Sequence, residues 1–413
     1  MDFVFRRAAV RARIVANPLG AVLQRYVAHL VYRGHRASTL HQYVFAAEHF
    51  GGWLGRRPID IASMDCFIRH HLPRCRCGKP AVRNIRCVRA ALNRLLEMLG
   101  SKRTRPAGTG LVGQLLRKYE NHLVHTCGLS CATVRYRLRY ARELLRRFRV
   151  CRTRQLREWS PVQMAQYVSS VGRQQRKPSS GQVLASSIRS FLRFLLLHGL
   201  IHRNLATAVP SFANWRLASL PRSIGRADLE KLIRTVDTST AIGKRDLAVL
   251  LCLTELGLRG ADVAALRQDG VDLASGILCF RRPKQREQVE LPMTRRLIAA
   301  IRHYLHQGRP ACSSTSLFVI HRAPVGIGLK PIGIRGIVIR RAVQAGLGHR
   351  IGGTHVIRHT VATELINLGA SLKEIADLLG HSSIDTTSIY AKVDMSSLAR
   401  VALPWPGKQE VIP

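Results

Sequence analysis

The stretch from Thr354 to Tyr390 leaves this chain few ways to fold, because a turn signal stands wherever one of its apolar runs ends. Thr354-His355-Val356-Ile357-Arg358-His359-Thr360 opens a helical pattern that breaks at Gly369. Ser371, with Glu374 three residues on, is a capping-box signature for a second short helix, and Gly380 stops that helix just before His381. A third helix is expected to begin between Ser382 and Asp385 and to carry Tyr390. Helices this short, joined by such turns, fold back on one another and bring His381 and Tyr390 toward the first. Positions three and four apart share a helix face, so His355, Arg358 and His359 present two imidazoles and a guanidinium together, a site for an anion. Taken alone, His-x-x-Arg-His in so basic a chain reads as a solvated helix face. The ordered turn signals around it favour a built site.

Charge is the second constraint. Lys and Arg number 66 against 24 Asp and Glu in 413 residues, a formal net charge of +42. Self-repulsion on that scale opposes a compact solitary state, and its natural compensation is a polyanion whose condensed counterions are released on binding. The basic residues run along the whole chain rather than collecting in a tail, so nucleic acid is favoured over an acidic protein or a membrane surface. The first residues, Met1-Asp2-Phe3-Val4-Phe5-Arg6-Arg7, lack the ordered regions of a secretory signal. No run approaches the ~18 apolar residues of a membrane span, and the expected location is the cytoplasm. The 10 cysteines are scattered without a small-domain disulfide framework and read as reduced thiols. Cys66, His70, His71, Cys75, Cys77 and Cys87 hold donors enough for zinc. Against that, Cys75-Arg76-Cys77 leaves a single residue where structural zinc sites usually leave about two to four. The expectation is therefore of thiols without a metal, and of no cofactor.

The length suggests about two or three domains at roughly 150 residues each. The front half carries a faint duplication: Tyr26-Val27-Ala28-His29-Leu30-Val31 returns as Tyr119-Glu120-Asn121-His122-Leu123-Val124. Gly34 and Thr39 pair in the same way with Gly128 and Thr133, and Leu92, Leu95 and Leu96 with Leu192, Leu195 and Leu196. Each copy starts with an amphipathic helix, breaks at a glycine and closes with a leucine-rich helix, expected over Val88 to Leu99 and Val183 to His198. In the second copy Tyr136-Arg137-Leu138-Arg139-Tyr140-Ala141-Arg142 suits phosphate contacts along a duplex, or equally a solvated face, and Lys177 to Gly181 reads as a loop. Periodicity lapses between Val209-Pro210 and Pro221, which marks a linker. The expected organisation is a helical module over 1–105, a second over 106–208, a linker over 209–225, a third domain over 226–400 and a tail over 401–413.

In that third domain, Arg245 to Leu256 is nearly all apolar and too long for a strand, hence a buried helix, ending at Gly257-Leu258-Arg259 with a short helix beyond, over Ala261 to Leu266. An arginine at such a junction needs a partner, and Asp262 is the nearest carboxylate in sequence. Gly276-Ile277-Leu278-Cys279-Phe280 and Gln288-Val289-Glu290-Leu291-Pro292 read as a hairpin with Lys284 in its connection.

His355-Val356-Ile357-Arg358-His359, then Leu379-Gly380-His381, then a tyrosine nine positions beyond that histidine, together resemble the second signature box of the tyrosine recombinase (phage integrase) family. Ile357 stands where the family usually has leucine. Thr254-Glu255-Leu256-Gly257-Leu258-Arg259 resembles its arginine box, with Asp262 at a position where glutamate is common, and Lys284 lies eight residues before Pro292, as the family's hairpin lysine does. The resemblance implies a mainly α fold: tandem helical DNA-binding modules, the second in the place of the family's core-binding domain, then a mostly helical catalytic domain with a small antiparallel hairpin. It also implies a tetramer, of this chain alone or with related recombinases, on double-stranded DNA. The implied activity is site-specific cutting and rejoining for a mobile element. A topoisomerase of the same chemistry and a DNA-binding accessory protein without turnover are the alternatives. The occupied positions argue against the last.

The chemistry calls for these groups. A tyrosine hydroxyl ionises near pH 10 and needs a proton acceptor before it attacks phosphorus. Charge on the nonbridging oxygens must meet preorganised donors, and the departing 5′ oxygen needs a proton. The resemblance accordingly implies Tyr390 as nucleophile, Arg259 and Arg358 as the phosphate clamp, Lys284 as acid, His355 as base, and His381 as a transition-state donor. His359 is expected to orient the surroundings of Tyr390. The covalent link conserves the energy of the broken bond, so the scheme needs neither ATP nor a metal, and no carboxylate cluster is spaced for a two-metal nuclease.

Overall fold

The computed structural model describes residues 4–5, 7–55, 57–78, 82–100, 110–174, 178–213, 222–283, 287–380 and 387–393. The chain divides into two compact units: Met1–Val15, Gly20–Val44 and Leu217–Pro413 form one, and Ala16–Leu19 with Phe45–Arg216 the other. Among the described residues no helix is long and apolar enough to cross a membrane.

The front half is helical throughout its described residues. Its α-helices are α1 (Ala8–Ala16), α2 (Gly20–Tyr32), α3 (Ala37–Leu54), α4 (Ile61–Cys66), α5 (Ile85–Met98), α6 (Leu111–Asn121), α7 (Cys131–Arg147), α8 (Arg154–Arg157), α9 (Pro161–Arg173) and α10 (Pro178–Leu197). The duplication seen in sequence has a structural counterpart. Tyr26 in α2 and Tyr119 in α6 are both fully buried, and each segment then turns at a left-handed glycine, Gly34 at φ +70° and Gly128 at φ +61°. Helix α3 follows the first glycine and α7 the second, and the leucine-rich helices are α5 and α10. Tyr119 donates to Ser190 Oγ at 2.9 Å and stacks its edge on Phe191, so its one polar atom is satisfied inside an apolar core.

One expectation fails here. Lys177 to Gly181 is not a loop over its described part: α10 already begins at Pro178. Proline suits a first helical position, where its missing N–H has no intrahelical partner to lose. Gly181 sits in that first turn because the Phe212 ring lies against it, where a Cβ would come within 3.0 Å of Phe212 Cγ.

The remaining α-helices are α11 (Arg226–Arg234), α12 (Ala241–Thr254), α13 (Gly260–Ala265), α14 (Arg295–Gln307), α15 (Pro331–Gln344), α16 (Thr354–Asn367) and α17 (Leu372–Leu379). Between α13 and α14 lies a three-stranded antiparallel sheet in the order β1 (Val271–Asp272), β2 (Ile277–Arg281), β3 (Gln288–Pro292), with Ile277 opposite Pro292 and Arg281 opposite Gln288. The long apolar run is α12, whose Ala248 to Leu253 are buried on every face, as an all-apolar helix must be. Each of its leucines contributes about 1.5–3 kcal/mol by leaving water. The charges at its start are buried too, and paired: Arg245 Nη2 donates to Asp246 Oδ1 at 2.6 Å, and Arg341 Nη2 from α15 to Asp246 Oδ2 at 3.0 Å. Removing one member of such a buried set costs about 3–5 kcal/mol.

Candidate active site

The C-terminal end of α17 is the organising point of the catalytic half. The last carbonyls of any helix lack intrahelical partners and carry the negative end of its dipole. Here consecutive carbonyls are each taken by a different guanidinium: Arg282 Nη2 donates to Leu378 O at 3.1 Å, Arg358 Nη2 to Leu379 O, and Arg259 Nη2 to Gly380 O at 2.8 Å. The three arginines come from the end of the β2–β3 hairpin strand, from α16 and from the N-terminal edge of α13. Their mutual repulsion is offset by this run of oxygens and by Asp262, which is buried on α13.

Local sequence explains each placement. Ser371 and Glu374 form a complete capping box that starts α17, with Glu374 N–H donating to Ser371 Oγ at 3.2 Å and Ser371 N–H to Glu374 Oε2 at 2.8 Å. Gly380 ends it in the left-handed conformation at φ +60°. A side chain there would collide with Arg282, whose Nη1 lies 0.7 Å from the place of a Cβ. Gly257, at φ +58°, lets the arginine box pass close to Leu379, and its carbonyl accepts from Arg358 Nη1 at 2.8 Å. Asp262 accepts the Arg259 backbone N–H at 3.2 Å and stands 4.0 Å from its guanidinium, so the nearest carboxylate fixes the Arg259 backbone more than its head group. Arg259 Nη1 is buried with no hydrogen-bond partner among the described residues.

Arg358 is 5% exposed, and burial followed by the like charge of Arg259 brings its pKa down to about 10. It remains a cation at neutral pH, but one held at some electrostatic cost, which an incoming anion would relieve. Burial likewise lowers the pKa of Arg282, with the Arg259 charge adding to the effect against the pull of Asp262.

Tyr390 sits in a 3-10 turn over Ser388–Val393, 1% exposed, its ring packed among Ala362, Ile366, Ile375 and Leu379. Its hydroxyl is 2.8 Å from His359 Nδ1, and the rings are inclined at 58°. Burial raises the Tyr390 pKa, and the nearby Arg358 and Arg259 charges oppose the rise. Those cations therefore act on the phenolic oxygen directly. His359 has a lowered pKa, from burial first and then from His355 and Arg358. His355, on the solvent side of α16, is lowered by desolvation, then by Arg358 and Arg259. Both imidazoles are thus biased to the neutral form that can accept a proton.

Of the residues singled out in sequence, Arg259, His355, Arg358, His359 and Tyr390 gather at one site. Lys284 and His381 lie outside the described residues. Arg282 was missed: it reads as one more basic residue before a turn, and its sole sequence signal is a position beside Pro283, two residues before Lys284. In the second helical module the basic stretch on α7 divides. Tyr136 is exposed, Arg139 pairs with Glu143 at 3.0 Å, Arg137 donates to Ser190 Oγ at 3.0 Å, and Tyr140 is in the core.

The chain matches the model of the phage integrase family over residues 222–397 and that of the phage integrase N-terminal SAM-like domain over 116–199. It is 32% identical over 408 residues to the Sinorhizobium fredii protein y4rA, named as an integrase/recombinase, covering 95% of this chain and 96% of that one. It is 31% identical over 225 residues to the tyrosine recombinase XerD of Listeria innocua, covering 53% of this chain and 73% of XerD. In fold it is similar to XerH site-specific recombinase bound to a palindromic difH substrate, with TM-score 0.57 and 16% identity over 82% of this chain and 93% of that one. It is also similar to a lambda integrase dimer bound to a COC′ core site, with TM-score 0.53 and 17% identity over 72% of this chain and 99% of that one. Near-complete alignment to an integrase/recombinase, with the family pattern lying over the tyrosine and arginine site, places the chain in the phage integrase family of tyrosine recombinases, enzymes that cut and rejoin DNA.

Proposed function

We propose that Tyr390 attacks a DNA phosphodiester and holds the cut strand as a 3′-phosphotyrosyl ester. The observation that carries this reading is the seating of its hydroxyl, 2.8 Å from His359 Nδ1 and within the field of Arg358 and Arg259. Arg259 and Arg358 clamp the nonbridging oxygens, where two guanidiniums from separate elements meet a phosphate with paired donors. Arg259 Nη1 is a donor with no protein partner to give up. His359 aims the phenol, and His355, one turn away on the same face of α16, receives its proton. Lys284 protonates the departing 5′ oxygen, and His381 adds a donor to the transition state. Arg282 holds α17 in register beneath the clamp.

The partner is double-stranded DNA, bound by the helical modules over 1–105 and 106–208 and by the catalytic domain over 226–400. The whole acts as a tetramer on two duplexes, from the cytoplasm, on a mobile element. Net charge of +42 supports such a polyanionic partner. The test is covalent capture. The purified chain is incubated with sheared DNA, denatured and freed of non-covalent nucleic acid, and the retained fragments are sequenced. Recurrent fragments retained by wild type and absent with Tyr390→Phe support the assignment, whereas equal retention by that variant removes it.

A further inference from the structure

The first helical module contains a side-chain cluster for which the recombination chemistry has no use. His49 on α3, His71 at the end of the turn after α4, and Cys75 and Cys77 in the segment before α5 point their donor atoms at one spot, all within 4.8 Å of one another. His49 Nε2 is 3.2 Å from His71 Nε2 and 3.3 Å from Cys75 Sγ, and Cys77 Sγ is 3.6 Å from His71 Nε2. A tetrahedral zinc with bonds of about 2.05 Å to nitrogen and about 2.3 Å to sulfur has edges of roughly 3.4 Å between nitrogens and roughly 3.6 Å between nitrogen and sulfur. The measured separations are those edges.

We propose that His49, His71, Cys75 and Cys77 bind one zinc ion in a closed, structural site. The outer shell agrees. His49 Nδ1 is 3.3 Å from the carbonyl of Val82 and must donate to it, which leaves the Nε2 lone pair facing inward. The Cys77 N–H lies 3.4 Å from Cys75 Sγ, a donor suited to a thiolate. A cavity of about 560 Å³, lined by His49, His71 and Cys77 among others, gives an ion a way in. Two thiolates and two imidazoles suit zinc over magnesium or calcium, and four protein donors leave no position for a reacting water.

The module has a physical need for such a tie. The second copy spans the comparable interval with the capped thirteen-residue helix α9, whereas the first has the six-residue α4, a short irregular turn and an extended segment from Cys75 to Asn84. That segment lacks a helix to pack, and an ion joining it to α3 substitutes for missing core. Spacing along the chain concealed the site, because the deciding ligand, His49, lies far from the other three and the two thiols are separated by only one residue.

The experiment uses the full-length chain. Purified protein is stripped with a chelator, titrated with Co²⁺, and read by its visible thiolate and ligand-field bands, with zinc content of untreated protein measured by elemental analysis. About one equivalent of zinc, and tetrahedral Co²⁺ bands that Zn²⁺ displaces, are expected, with both lost in Cys75→Ser/Cys77→Ser and in His49→Ala. For variants that fail to fold, alkylation of the wild type decides: bound zinc should slow modification of Cys75 and Cys77 but not of exposed Cys151. Absence of Co²⁺ bands in wild type, their persistence in the variants, or zinc-independent alkylation of Cys75 and Cys77 overturns the proposal.

Discussion

Gly380→Ala probes the arrangement of arginines on α17 more sharply than removing any one of them. The residue holds φ +60°, and a Cβ would stand 0.7 Å from Arg282 Nη1 and 1.9 Å from its Cζ. The left-handed conformation costs an alanine about 1–2 kcal/mol. The guanidinium must also leave, forfeiting its bond to Leu378 O, and hydrogen bonds to charged groups contribute about 1.5–3 kcal/mol. Together these predict a loss of roughly 2.5–5 kcal/mol, or about two to three and a half powers of ten in local opening. Hydrogen exchange followed by mass spectrometry on peptides covering α16 and α17 reads that opening directly. The steric part requires Arg282, so Gly380→Ala/Arg282→Ala should cost clearly less than the sum of the two single changes. Exchange in α17 within about 0.5 kcal/mol of wild type, or strict additivity, would refute the packing argument.

Three further outcomes are expected. Lys284→Ala should slow cleavage of an ordinary strand, and a 5′-bridging sulfur, which leaves without a proton, should restore the rate; lack of rescue removes its role as acid. His355→Ala and His359→Ala should each slow single-turnover cleavage by about 10²-fold or more, but only the first should abolish the acidic limb of the pH profile. If His359→Ala alone does so, the two roles are exchanged. Finally, His321, hydrogen-bonded to Tyr304 Oη at 3.2 Å, has its pKa brought from the ordinary 6.5 to about 4, by burial first and then by the Arg245 charge. The unfolded chain then binds a proton that the folded one refuses, so stability falls as pH drops from about 6.5 and the loss levels off near 4. His321→Gln should flatten that part of the thermal-stability profile, and an unchanged slope would contradict the assignment.

Much of the site is legible in the sequence because its signals are local. The Ser371–Glu374 box, the glycines that end α16 and α17, and the buried α12 each follow from residues a few positions apart, and the structure places them so. The hairpin is also local: strands expected over Gly276–Phe280 and Gln288–Pro292 form at Ile277–Arg281 and Gln288–Pro292, with β1 added at the edge. What the sequence hides is the pairing of distant groups. Arg282 matters through Leu378 and Gly380, and His49 through a segment more than a helix away, and neither partnership leaves a periodic trace. The hydrogen bond of Tyr390 is of the same kind: two histidines share its side of α16, and only the three-dimensional path of the chain selects His359.

The account rests on the identity of one covalent bond, and mapping that bond tests it most directly. DNA-linked protein from wild-type reactions, digested with protease and nuclease, should yield a single modified peptide bearing a nucleotide on Tyr390 through its 3′ phosphate. A nucleotide attached to any other side chain, or joined through a 5′ phosphate, would contradict it.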